Sequence, residues 1–277
     1  MIHQKNSNSP MLYLLALILF AFVFANTSIS NERKFSYTYE SNVLPKGVRE
    51  IEIWNTSRIA RSYFFRRLDQ RVEYEIGLGN NLQTAFYLNL TNELKDDNGV
   101  TAGGSISRKT NVGFSNEWKY KISDNVADPI GFALYSEFTF YPHETEYEGK
   151  LLFDKKIDNT LFALNLVYEL ENKYDFKNGI EVKSQENIFE IDFGASYSFT
   201  HNFSVGLEAV NKNSLLENKI NNSVLFLGPS IFYSTENFWV VATYLPQVKA
   251  LKGATSGNLN LNSYERSLAR ILFAFEL

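Results

Sequence analysis

The sequence predicts an all-β fold, a twelve-stranded antiparallel transmembrane β-barrel of the outer-membrane type behind an N-terminal signal peptide, and three observations carry that expectation. Apolar and polar residues alternate with period two in segment after segment, short and long connections follow one another along the chain, and an apolar N-terminal run ends in small and polar residues. Val72–Leu90 shows the pattern. Val72, Tyr74, Ile76 and Leu78 fall on one face of a strand and Glu73, Glu75 and Gly77 on the other, because β side chains alternate. Gly79-Asn80-Asn81 then turns the chain, since Gly and Asn tolerate the positive φ of a tight hairpin. Leu82, Thr84, Phe86, Leu88 and Leu90 return opposite Gln83, Ala85, Tyr87 and Asn89. A sandwich hides such an oily face in a core, whereas an outer-membrane barrel turns it to lipid and keeps a wet lumen.

Taken in order, Lys5 precedes an apolar run from Met11 to Phe24, and Val23-Phe24-Ala25 gives way to polar Asn26. Residues 1–25 therefore read as a signal peptide cleaved after about Ala25. The run is shorter than the ~20 residues a spanning helix needs, and no later window of ~18 apolar residues follows. Residues 26–47, with Phe35-Ser36-Tyr37-Thr38-Tyr39 and the breaker Pro45-Lys46-Gly47, are expected as a periplasmic lead-in, and residues 48–277 as the barrel. Its strands are expected near 48–58, 68–78, 82–93, 110–123, 129–141, 147–157, 159–172, 185–200, 202–212, 222–234, 237–248 and 264–277. An even number places both termini on the periplasmic side, and tilted strands of ~9–11 residues suffice to cross a bilayer.

The connections support closure in a membrane. Short ones follow the even strands, at Gly79–Asn81, Asp124–Asp128, Asp158, His201 and Thr235–Glu236. Longer ones mostly follow the odd strands, at Ile59–Arg67, Leu94–Lys109, Pro142–Glu146, Lys173–Ser184, Asn213–Asn221 and Lys249–Ser263. Short periplasmic turns and longer extracellular loops are the outer-membrane pattern, and a Greek-key sandwich has no reason to sort its loops so.

Later segments repeat the alternation, as in Phe162, Leu164, Leu166, Tyr168 and Leu170 against Ala163, Asn165 and Glu169. Gly228-Pro229 interrupts the tenth strand, where a bulge or bend is expected. The last strand points Ile271, Phe273, Phe275 and Leu277 outward and Arg266, Arg270, Leu272, Ala274 and Glu276 inward. It resembles the C-terminal strand that barrel-assembly machinery reads, with Leu277 where that signal usually has Phe. Aromatic residues gather near strand ends, among them Trp118, Tyr120, Phe199, Phe203, Tyr233, Phe238, Trp239 and Tyr264, as interfacial girdles require. Twenty-three Phe and sixteen Tyr fit a lipid-facing band. The absence of Cys excludes disulfides, a Cys-linked lipid anchor and thiolate metal sites, and a net charge of −4 argues against nucleic acid as a partner.

The stretch Y-T-Y-E-S-N-V-L-P-K-G-V-R-E-I-E-I-W-N-T-S-R from Tyr37 to Arg58, then R-V-E-Y-E-I-G-L-G-N-N-L-Q-T-A-F-Y-L-N and F-W-V-V-A-T-Y-L-P-Q-V, resembles a family of uncharacterised Gram-negative outer-membrane β-barrels. More distantly it is similar to transporter-like barrels grouped with phenol-degradation gene products, a resemblance that implies small-molecule passage. That family offers no catalytic residues to carry over.

On this register the lumen receives Glu50, Glu52, Glu73, Glu75, Glu117, Glu137, Glu169, Glu190, Asp192 and Glu208, faced by fewer cations, among them Lys119, Arg266 and Arg270. These charges either pair into a network that stiffens the barrel or line an acid-rich path that favours cations or neutral polar solutes. A constriction is expected where Glu73, Glu75 and Glu117 approach Arg266 and Arg270. Twelve strands give a bore between side-chain-filled eight-stranded barrels and sixteen-stranded porins. An outer-membrane lipid-modifying enzyme would need a Ser and His in hydrogen-bond reach. His3 leaves with the signal, His143 falls in an outer loop and His201 in a periplasmic turn. No catalytic, cofactor-binding or metal residues are expected. The sequence thus points to an outer-membrane channel or transporter-like barrel for small solutes, with a plugged barrel of structural or adhesive role as the alternative and an outer-membrane lipid-modifying enzyme as the second. The expected partners are the bilayer with its lipids, the assembly machinery and small solutes.

Overall fold

The computed structural model describes residues 32–96, 105–177, 180–217 and 219–277, so the expected signal peptide lies outside the described residues. Twelve strands are present among them: β1 (Arg49–Ile59), β2 (Phe65–Gly79), β3 (Leu82–Asp96), β4 (Ile106–Ser123), β5 (Gly131–Tyr141), β6 (Glu144–Ile157), β7 (Thr160–Lys177), β8 (Ile180–Ser198), β9 (Phe203–Leu216), β10 (Lys219–Ser234), β11 (Phe238–Lys252) and β12 (Ser267–Glu276). Each pairs antiparallel with its sequence neighbours, and β1 pairs with β12 through Glu50–Glu276 to Ile59–Ser267, closing the barrel. Closure satisfies every strand edge, which a lipid-facing sheet requires.

Every expected strand forms, and the differences concentrate at the end expected to carry the long loops. β7 and β8 run 18 and 19 residues, so the expected loop Lys173–Ser184 is mostly hairpin. The expected loop Asn213–Asn221 likewise divides between β9 and β10. The antiparallel ladder satisfies its own backbone whether or not lipid lies outside, so pairing continues past the apolar band. Ile180–Glu186 is exposed along its whole length, as expected for a hairpin standing clear of the wall. At the opposite end the turns stay tight: Gly79, Asn80 and Asn81 take φ of 86°, 52° and 63°, and Asp158 takes 52°.

The two faces separate by residue type. Val72, Leu88, Phe114 and Leu207 stand about half exposed on the outer face, whereas Glu50, Glu73, Glu75, Glu117 and Glu208 are buried inside. Trp118, Tyr120, Tyr197, Phe199, Tyr233 and Phe238 lie outside near the tight turns, and Phe199 packs with Tyr197 and Phe203 at 5.0 and 6.1 Å. Trp239 and Tyr264 leave the expected girdle. Phe238 takes the outward position at the start of β11, so its neighbour Trp239 turns inward and is buried, and Tyr264 is buried in the β11–β12 loop. β10 runs through Gly228-Pro229, and pairing to β11 lapses between Phe226–Gln247 and Ser230–Thr243. The register shifts fall earlier, between Ser223 and Val224 and between Leu225 and Phe226. Pro229 has no N–H to give a ladder, which accounts for the lapse.

The largest difference concerns residues 26–47. Over its described part this segment runs inside the barrel rather than beneath it, with Phe35, Ser36, Thr38 and Ser41 fully buried and Leu44 1% exposed. It forms no strand. A buried backbone must still find hydrogen-bond partners, and here the lumen side chains supply them.

Candidate functional site: a plugged lumen and its vestibule

Glu208 on β9 is the main anchor of the internal segment. Its Oε1 accepts from the Ser36 N–H at 3.0 Å, and its Oε2 accepts from Tyr37 and Thr38 N–H at 2.8 and 2.9 Å. The Thr243 hydroxyl donates to the same carboxylate at 2.6 Å. Asn165 on β7 pairs with both backbone groups of Tyr39, and Gln83 on β3 accepts from the Leu44 N–H at 2.8 Å. Arg270 on β12 donates from Nη1 to the Ser36 carbonyl at 2.8 Å while its guanidinium lies 3.8 Å from the Tyr37 ring centroid. Two glycines make room. A Cβ on Gly77 would stand 2.1 Å from the Pro45 carbonyl, and one on Gly194 would meet the Phe35 ring at 2.8 Å.

Below Tyr39 the lumen is acidic. Glu52, Glu73 and Glu75 bring carboxylate oxygens within 4.8 Å of one another, a spacing that a cation can bridge. The internal segment supplies one: Arg33 Nη1 lies 3.8 Å from Glu52, and its guanidinium is 3.8 Å from the Tyr39 centroid and 4.9 Å from Trp54. Burial works against that charge, yet Tyr39, Glu52, Glu73 and Glu75 more than offset it and hold the guanidinium above its ordinary value. Glu40, in the same segment, is pushed up to about 7 by burial, with Asp154 adding to the rise and the Lys34 N–H, Lys34 and Arg33 opposing it.

Above the segment a vestibule of about 520 Å³ opens, floored by Tyr37 and Tyr39. Its charges are segregated. Arg58, Arg67, Arg71 and Arg270 line the side formed by β12, β1 and β2, with Arg61 in the β1–β2 loop. Glu146, Glu148, Glu169, Glu171, Glu190 and Asp192 line the side formed by β6, β7 and β8. The cations on the acidic side are lysines: Lys150 pairs with Glu148 at 3.0 Å and Lys212 of β9 with Glu190 at 2.7 Å, while Lys173 meets Glu171. On the arginine side Asp69 holds both Arg58 and Arg67 through Nε at 2.6 Å. Arg71 reaches Glu137 of β5 at 2.9 Å, and Arg61 reaches Glu265 at 2.6 Å.

Glu50, Glu52, Glu73, Glu75, Glu117, Lys119, Glu137, Asp192 and Glu208 are all buried inward, and Glu169, Glu190 and Arg270 are half-buried inward. Arg266 departs from expectation: it precedes β12 and is exposed, its N–H bonded to the Ile59 and Ala60 carbonyls. The expected constriction does not assemble. Arg270 pairs across the sheet with Thr56, whereas Glu73 pairs with Glu52, four residues nearer the tight-turn end. Arg33 and Lys119 take the place expected for those two arginines. Arg71 is one of the cations the sequence places in the lumen, whereas Arg58 and Arg67 are not among them, although they share the parity of Glu52 and Glu73 and turn inward with them.

Among solved structures, the COG4313 outer membrane channel from Pseudomonas putida F1 matches with a TM-score of 0.58 at 8% identity, over 86% of this chain and 98% of that one. The NanC porin matches with a TM-score of 0.54 at 14% identity, over 82% and 100%. The translocator domain of the autotransporter NalP from Neisseria meningitidis matches with a TM-score of 0.52 at 10% identity, over 84% and 89%. At these identities the likeness carries the fold alone, a closed antiparallel β-barrel of the outer-membrane type. No curated protein matches the chain. A family model described as a family of unknown function, DUF6662, matches residues 27–277.

Proposed function

The chain belongs to the DUF6662 family, whose function is unknown, and from its own geometry we propose that it is an outer-membrane channel for small polar solutes, closed at rest by its N-terminal segment. Solute enters the charge-segregated vestibule and passes when residues 32–47 leave the lumen. The observation that carries this reading is how the segment is held: from Ser36 to Leu44 its backbone is bound by single side chains of the wall, Glu208, Asn165 and Gln83, and at Gly47, where it meets β1, it bonds to Gly77 of β2. Such a contact set releases without breaking any strand pair of the barrel. The small-molecule passage implied by the sequence resemblance to phenol-degradation-type transporter barrels agrees with it.

Liposome swelling with graded sugars and amino acids tests the reading. Removing the Glu208 carboxylate strands three N–H donors, at a cost on the order of 3 kcal/mol, equivalent to a ~100-fold higher open-to-closed ratio. Glu208→Ala proteoliposomes therefore swell at least tenfold faster than those with the native chain. Equal and negligible swelling with both would reject the channel and leave a permanently plugged, structural barrel.

A further inference from the structure

Resting on the channel reading, we infer that the vestibule binds a small zwitterion, its carboxylate on Arg58 and Arg67 and its ammonium toward Asp192. Asp69 fixes both guanidiniums through their Nε atoms alone, at 2.6 Å each. Among the described residues no hydrogen bond occupies their Nη groups, so the Nη pairs of two planar guanidiniums are left to the cavity they line. That is the donor geometry a carboxylate takes.

The opposite side supplies the other half. Its three lysines are engaged by Glu148, Glu171 and Glu190. Asp192 lines the same cavity, is 4% exposed, and its Oδ1 has no hydrogen-bond partner. A buried carboxylate oxygen without a donor is costly, and an ammonium provides both donor and counter-charge. A simple anion would leave Asp192 unsatisfied, and a simple cation would leave the arginine forks bare. A molecule carrying both charges at opposite ends satisfies each side at once, and a volume of about 520 Å³ admits one of metabolite size.

Isothermal titration calorimetry on the full chain in detergent tests this with 4-, 6- and 8-carbon ω-amino acids, each against the alkanoate and alkylamine of equal length. The best-fitting amino acid binds at least tenfold tighter than either analogue. Asp192→Asn reduces it to the affinity of the alkanoate while leaving alkanoate binding unchanged, and Arg67→Gln removes the alkanoate affinity. Arg67→Lys, which keeps the charge and the fold but lacks the fork, loses severalfold. Equal affinity for an amino acid and its alkanoate, or no binding at any length, overturns the inference. Binding is read on the closed protein, so binding without solute flux would reject the channel and leave the site standing.

Discussion

Asn165 of β7 holds Tyr39 as a neighbouring strand would: its Oδ1 accepts from the Tyr39 N–H at 2.6 Å, and its Nδ2 donates to the Tyr39 carbonyl at 2.9 Å. One amide side chain thereby satisfies both backbone groups of a residue that sits between the acidic pocket and the vestibule. Asn165→Ala orphans that buried pair, a loss of about 2 kcal/mol in docking. Hydrogen exchange at the Tyr39 amide accelerates ~30-fold in this variant, while amides of the β7–β8 ladder keep their native rates.

Glu40 makes docking of the segment pH-dependent. Burial raises its carboxyl to about 7, while Lys34 N–H at 2.7 Å, Lys34 and Arg33 pull the other way. Docked, the group keeps its proton up to about pH 7; undocked, it loses the proton near its ordinary value of 4.5. The docked state therefore binds more protons between those values, and docking weakens as pH rises through that window, by at most about 3 kcal/mol. Channel opening increases from pH 5 to pH 8, and Glu40→Gln flattens that dependence.

Gly77 gives a steric test that removes no hydrogen bond. Its N–H and carbonyl bond to Val48 and Gly47, and a Cβ there would lie 2.1 Å from the Pro45 carbonyl and 2.4 Å from that of Leu44. Gly77→Ala displaces the segment and raises solute flux severalfold, with the barrel still migrating as a folded species in cold detergent gels. Flux at the native level would mean that the segment tolerates the shift.

The outer face answers to a different solvent. Leu88 is 59% exposed mid-strand on β3, and Arg in its place costs about 2–4 kcal/mol near the bilayer midplane. Urea unfolding from lipid vesicles shows that loss for Leu88→Arg. The same substitution at the outer-rim position Ile180 changes stability by less than about 1 kcal/mol, because that position stands beyond the apolar band.

Most of the barrel was legible because one signal fixes it: period-two alternation decides both which residues pair and which face meets lipid. Twelve strands and the inward acids follow from that signal, and the Asn80-Asn81 turn from the positive φ that Gly and Asn tolerate. The internal segment was not legible. Phe35-Ser36-Tyr37-Thr38-Tyr39 alternates like a strand, but its partners are Glu208, Asn165 and Arg270, more than 120 positions away in sequence. No local pattern encodes contacts of that separation, and Glu208 reads in sequence as one more lumen acid. The charge segregation of the vestibule was hidden for a related reason, since Arg58 and Arg270 adjoin only after β1 meets β12. Arg266 was misplaced by extending the alternation of β12 past the point where its ladder ends.

The central claim, that residues 32–47 close a conducting barrel and leave it to open, is tested most directly by a reporter at Thr38, which is fully buried in a chain without cysteine. Thr38→Cys protein in a planar bilayer is exposed to a bulky thiol reagent while current is recorded. Slow modification that tracks brief openings, followed by a lasting rise in current because the labelled segment cannot return, is the predicted result. Modification at the rate of a free thiol with no change in current would contradict the account.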